Sequence, residues 1–140
     1  MRADAPQVSG PRVHTVRLHE VAGAALAVAC PAWCVSDHRH EVEDGTFVVD
    51  FTHYGPEVSL RLAAGEEALS ARISQTPFDA RDRAPVVATY PEVGANNGRL
   101  TSDEVYALAN QMRAYAAALD ELAFDLDDAR LTDRTERGTR

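Results

Sequence analysis

Two cysteines and two histidines stand within 24 residues of one another, as Cys30-Pro31-Ala32-Trp33-Cys34, then His38, then His53. Two thiolates and two imidazoles form a soft, borderline-nitrogen donor set of the kind zinc prefers, with about 2.3 Å to sulfur and 2.0–2.1 Å to nitrogen in a tetrahedron. Pro31 restricts the backbone between the two thiols, so both can lie on one tight turn. The spacing C-x3-C-x3-H-x14-H departs from that of a standard zinc finger. With all four donors on the metal, no coordination position stays open, and Cys30, Cys34, His38 and His53 read as a structural Zn2+ site. His40 is the rival fourth ligand, although His38 and His40 together would crowd one loop. His14 and His19 have no partner pattern and are expected at the surface, and Trp33 is expected to pack over the cluster as a lid.

The same residues admit a second chemistry. If Cys30, Cys34 and His38 held the metal and water took the fourth place, Asp37 or Glu41 could serve as base in a small zinc hydrolase or lyase. Nucleobase deaminases need His-x-Glu ahead of Pro-Cys-x-x-Cys, and here order and spacing differ. No nucleophile–base pair, phosphate loop or carboxylate motif occurs elsewhere, and Gly94–Gly98 has no following lysine. No residue is therefore assigned a catalytic or cofactor-binding role, and an interaction or regulatory module is the preferred reading.

Composition sets the frame for these side chains. The chain has 140 residues, 45% of them hydrophobic and 26% charged, which suits one globular domain with few aromatics (6%) in its core. Fourteen basic residues, all arginine, face 22 acidic ones for a net charge of −8. Nucleic-acid affinity rests on phosphate neutralisation, so no nucleic-acid partner is expected. No apolar run reaches the roughly 20 residues that span a bilayer. Val21–Cys30 ends in a cysteine as a lipoprotein signal does, but His19 and Glu20 stand where a basic flank belongs. A cytoplasmic location is expected, where two cysteines serve as ligands more readily than as a disulfide.

The elements that must position the site follow from periodicity. Residues 1–11, with Pro6, Gly10 and Pro11, read as a flexible lead-in, residues 12–128 as the zinc-stabilised domain, and 129–140 as a charged tail. Val13–Leu18 suits a first strand. Val21–Ala29 is open between strand and helix, and a strand is chosen. Thr46–His53 alternates, with Phe47, Val49, Phe51 and His53 on one face, which predicts a half-buried strand. His53-Tyr54-Gly55-Pro56 suggests a turn. Val58–Leu62 and Leu69–Ile73 continue the alternation across a turn at Gly65-Glu66, and Pro85–Tyr90 gives a fourth or edge strand. Thr101 and Glu104 form a capping box, flanked by Leu100 and Val105 as a hydrophobic staple, at the start of a long helix. The expected class is α+β: a small antiparallel β-meander of three to five strands with a zinc knuckle, and one C-terminal α-helix packed on the sheet.

The run Cys30-Pro31-x-Trp33-Cys34 with Asp37-His38, then His53-x-Gly55-Pro56, then Leu100-Thr101-x-x-Glu104 resembles an uncharacterised family of small actinobacterial proteins, a domain of unknown function. The resemblance covers residues 28–122. It implies that these cysteines and histidines belong together, and it brings no activity with it.

Along the helix, Val105, Leu108, Met112, Tyr115, Leu119, Leu122 and Leu126 step by three and four, a heptad seam. From Ser102 to Asp127 such a helix is about 40 Å long. Its second half, with Leu119, Leu122 and Leu126, is expected to take a protein partner or a second copy of the chain.

Overall fold

The computed structural model describes residues 12–81 and 83–138, and the lead-in expected over residues 1–11 lies outside them. The chain divides after Thr101 into two compact units. The first carries two antiparallel sheets and the second is one helix, so the fold is α+β.

The first sheet is a hairpin of β1 (Val13–Arg17) and β2 (Ala25–Ala29), with Val16 opposite Leu26 and His14 opposite Val28. Strand geometry sends alternate side chains to opposite faces. The inner row of β2 is therefore Leu26, Val28 and, one step past the strand, Cys30, while Ala25, Ala27 and Ala29 are exposed. That pattern settles the ambiguity of Val21–Ala29. Alanine's helix preference yields to burial of the three larger side chains. Val16, Val28 and Phe51 form the packed core, with Leu18 and Leu26 against it. Burial of each such side chain stabilises by roughly 1.5–3 kcal/mol, so a core of this size is thin.

From Cys30 the chain turns into a short helix α1 (Arg39–Glu43) and a 3-10 turn (Val48–Asp50). The strand expected over Thr46–His53 is absent. Thr46 makes one bridge to Leu18, the Glu20 carboxylate accepts the Val48 N–H at 2.6 Å, and Asp50 N–H and Phe51 N–H close back on Phe47 and Val48. With those backbone groups engaged locally, no ladder can form. Phe47 and Val49 are about half exposed, and only Phe51 and His53 of the expected face are buried.

The second sheet runs β3 (His53–Arg61), β4 (Glu67–Gln75), β5 (Val86–Tyr90) and β6 (Arg99–Leu100), in that order and antiparallel throughout. The turn expected at His53–Pro56 is instead a bulge inside β3. Tyr54 pairs with Ser74 and Glu57 with Arg72, so Gly55 and Pro56 together face Ile73. Pro56 has no N–H to give a ladder, and a bulge tolerates that. A Cβ on Gly55 would meet the Ile73 Cβ at 3.2 Å, so glycine permits the close approach. The register places Val58, Leu60, Leu69, Ala71, Ile73, Val87 and Leu100 on one face, and Tyr54, Arg72, Ser74, Ala88 and Arg99 on the other. The turn at Gly65 is as expected, with φ +87° and Leu62 N–H donating to Glu66 O.

The second unit is α2 (Ser102–Gly138), which begins right after Thr101 and continues past Arg130, where the sequence suggests a frayed tail. At 37 residues it is about 55 Å long. No described helix is long and apolar enough to cross a membrane.

Candidate metal centre

The loop after β2 delivers Cys30 and Cys34, the N-cap of α1 delivers His38, and the first residue of β3 is His53. Cys30 follows β2 on its inward face, and its N–H donates to Arg12 O at 2.7 Å, which fixes it against the strand entering the hairpin. Cys34 closes the turn by donating its N–H to Pro31 O at 3.0 Å. Val35 N–H then donates to Tyr54 O at 2.8 Å and holds the turn against β3. The Arg12 guanidinium spans the far side, donating to Cys34 O and, at 3.3 Å, to Ser36 O.

His38 caps α1 in the left-handed conformation, φ 51°. Such a backbone costs a non-glycine residue about 1–2 kcal/mol, and here it turns the imidazole back toward Cys34. Its ring stacks on Phe51 at 4.6 Å and stands nearly perpendicular to the His53 ring at 5.3 Å. His53 opens β3, edge-on to Trp33 at 6.3 Å. Trp33 is half-buried and lies over Gly55, which agrees with the expected lid.

All four residues are buried, and their donor atoms lie within 4.8 Å of one another. Cys34 Sγ is 3.5 Å from His38 Nε2. An S···N edge of a zinc tetrahedron with ordinary bond lengths is about 3.6 Å. His53 Nδ1 and His38 Nδ1 are buried with no hydrogen-bond partner. Glu41 Oε1 stands 3.7 Å from His38 Nδ1, too far for a hydrogen bond but on the side from which a carboxylate orients a metal-bound imidazole. An unsatisfied buried polar atom costs about 1–3 kcal/mol, and coordination through Nδ1 would remove that cost at His53. The donor set and its spacing fit a metal ion.

Electrostatics point the same way. Burial pushes the Cys30 thiol up to about 11, helped by the neighbouring Cys34 and opposed by Arg12. Burial brings His53 down to about 4, helped by His38, His14 and Arg12. His38 is also lowered, mainly by burial, with Glu41 opposing. Without a cation, Cys30, His38 and His53 favour their neutral forms, and a bound divalent ion would supply the charge that turns the Cys30 thiol into a thiolate.

A family model, that of the domain of unknown function DUF6907, matches residues 14–128. The chain belongs to the DUF6907 family. The match spans the hairpin from His14, all four cluster residues and α2 as far as Asp128. No curated protein and no solved structure matches the chain.

The remaining sequence candidates separate cleanly. His40 is exposed on α1 and bonded at 2.7 Å to Asp44 Oδ2, outside the cluster. His19 is exposed, as expected, and its Nε2 contacts Asp44 O at 3.1 Å. Asp37 is exposed and accepts the Arg39 N–H, which holds its carboxyl below the usual range. His14 departs from expectation. It is half-buried with its ring 5.1 Å from that of His38, and its Nε2 is buried without a partner. The alternation His14 and Val16 on β1, continued by Leu18 just past it, carries the signal that would have placed it inward. Arg12 was not singled out from sequence, since a guanidinium that binds backbone carbonyls leaves no residue-type pattern.

Proposed function

We propose that the DUF6907 chain is a zinc-stabilised interaction module with a structural metal and no catalytic role. The observation that carries this is the closure of the site: four buried protein donors converge, and His53 stands where a catalytic centre would keep a water. Asp37, one base required by the hydrolase or lyase alternative, points to solvent. Structural zinc contributes roughly 10–16 kcal/mol in apparent binding, against roughly 5–15 kcal/mol for a whole domain. With a packed core of Val16, Val28 and Phe51, such a cross-link decides whether the first unit folds. Two unpaired thiols as ligands suit a reducing compartment, and the cytoplasm is the proposed location.

The interaction surface proposed for this module is the seam of α2. Leu119, Leu122 and Leu126 are 46%, 62% and 49% exposed. With these residues at core heptad positions, Asp125 falls at g and Arg130 at e of the next heptad. In a parallel pair of helices those positions face one another across the seam, so a second copy would meet an opposite charge on each side. Sedimentation of wild type and of a Leu122→Glu, Leu126→Glu double variant tests this. A dimer, or a captured partner, that is lost in the variant with metal content unchanged supports the reading. A wild-type monomer whose associations survive both charges removes it.

A further inference from the structure

The face of the second sheet turned away from Ile73 carries a hollow of about 440 Å³. Its walls include Tyr54 of β3, Arg72 and Ser74 of β4, and Asn97 and Arg99 from the strand-connecting loop and β6. Among the described residues, Glu92 is the one carboxylate in the lining, beside the guanidinium groups of Arg72 and Arg99.

Arg72 decides the chemistry. Its guanidinium carbon sits over the Tyr54 ring, 3.8 Å from the centroid. Among the described residues it makes no ion pair and no hydrogen bond, so its donors face the hollow without a protein acceptor. A cation held over an aromatic face is attracted by the ring's quadrupole, and that contact uses none of its N–H donors. The planar N–H fork matches a carboxylate or phosphate with two parallel hydrogen bonds. The Ser74 hydroxyl, two residues along the same face, likewise has no protein partner among the described residues. Thr52 and Thr76 bond to each other at 3.1 Å and close the wall beside it. Arginine on an exposed strand ordinarily reaches into solvent or pairs with an acid. Here it is half-buried over the Tyr54 ring, in the lining of a concavity.

We infer that this hollow is a binding site for a small oxyanion-bearing molecule, a carboxylate or a phosphate, with the Arg72 guanidinium clamped on Tyr54 as its anchor. The site is separate from the metal centre. Tyr54 follows the cluster residue His53, but its side chain lies on the opposite face of β3. The volume falls within the range of small-molecule sites, about 300–1,000 Å³.

The test uses the metal-loaded full chain. Amide and arginine side-chain NMR spectra are followed during titration with inorganic phosphate and, separately, with succinate. The site gives saturable shifts centred on Arg72, Ser74 and Asn97, with one probe at least tenfold tighter than the other according to whether phosphate or carboxylate is preferred. Arg72→Gln keeps the fold and metal content and weakens that binding at least tenfold, whereas Arg61→Gln, on an exposed ion pair with Glu67, leaves it intact. Linear, non-saturating shifts with both probes to high millimolar concentration overturn the inference. So does saturable binding that survives Arg72→Gln. Neither result bears on the zinc module or on the seam of α2, which are read by metal content and sedimentation.

Discussion

Cys34 Sγ lies 3.5 Å from His38 Nε2, held there by a left-handed backbone at His38 and by Phe51 stacked on the imidazole. The pair belongs to a four-residue cluster completed by Cys30 and His53, whose donor atoms lie within 4.8 Å of one another. Two of these donors sit on the loop after β2 and one opens β3. Occupation of the cluster would therefore tie the hairpin to the four-stranded sheet.

His53→Ala should cost far more stability than His40→Ala. The first removes a donor that joins β3 to the knuckle, and the variant is expected to lose its metal and most of its cooperative melt. His40 is exposed and paired only with Asp44, and surface substitutions of this kind stay within about 0.5 kcal/mol. Thermal melts with parallel metal analysis check this. Equal effects at the two positions would show that the fourth donor has been misassigned.

Arg12→Gln should loosen the knuckle without removing a ligand. The guanidinium bonds the carbonyls of Cys34 and Ser36, and supports of this kind outside the ligand set typically contribute 10–100-fold in metal affinity. Competition with a chelator at fixed pH measures it. Unchanged affinity would reduce Arg12 to a surface contact.

Acid should strip the metal and unfold the first unit together. His53 is held at about 4, below its ordinary 6.5. The unfolded chain therefore takes up the proton first, and this contribution is complete above pH 6.5 and lost as pH falls through 4. Cys30 has the opposite sign. Its thiol is raised from 9.0 to about 11, so the metal-free fold gains from the neutral thiol below pH 9 and loses that gain as pH rises through 11. Because metal binding expels the Cys30 proton, affinity should rise about tenfold per pH unit from this group alone across neutral pH. Circular dichroism and a zinc indicator, stepped from pH 8 to 4, should show coincident transitions on the acid side. Metal loss with an intact fold at pH 5 would contradict the linkage.

Gly45→Ala should destabilise more than Gly23→Ala. Both glycines have positive φ, +91° and +76°, and for alanine that conformation costs about 1–2 kcal/mol. At Gly23 nothing lies within 4 Å of the added carbon. At Gly45 it would meet the His19 ring at 2.7 Å and Arg17 O at 3.1 Å. Denaturant midpoints compare the two. Equal shifts would mean that the His19 ring moves aside without penalty.

The alternation of Val58–Leu62 and Leu69–Ile73 was legible as a period of two, and it falls on β3 and β4, whereas Val21–Ala29 stayed open in sequence because its alanines favour helix. The same rule misled at Thr46–Phe51, where Phe47 and Val49 alternate correctly but Glu20 and local turns take up the backbone groups a ladder needs. The grouping of Cys30, Cys34, His38 and His53 was legible from residue type, spacing and the family resemblance, with His40 left as a rival, and the structure brings the four together. The left-handed turn at His38 was not, since histidine carries no mark of it, and the usual signal for such a turn is glycine or asparagine. The Arg72–Tyr54 pair was hidden for another reason. The two residues are distant in sequence, and only the bulge at Gly55-Pro56 and the register of β3 on β4 bring them together.

X-ray absorption at the zinc edge of purified full-length protein tests the central claim most directly. Two sulfurs at about 2.3 Å and two nitrogens at about 2.0–2.1 Å, in one metal per chain, are the result this account predicts. A shell with a third light-atom donor beyond two imidazoles, or protein free of metal with Cys30 and Cys34 joined as a disulfide, would contradict it.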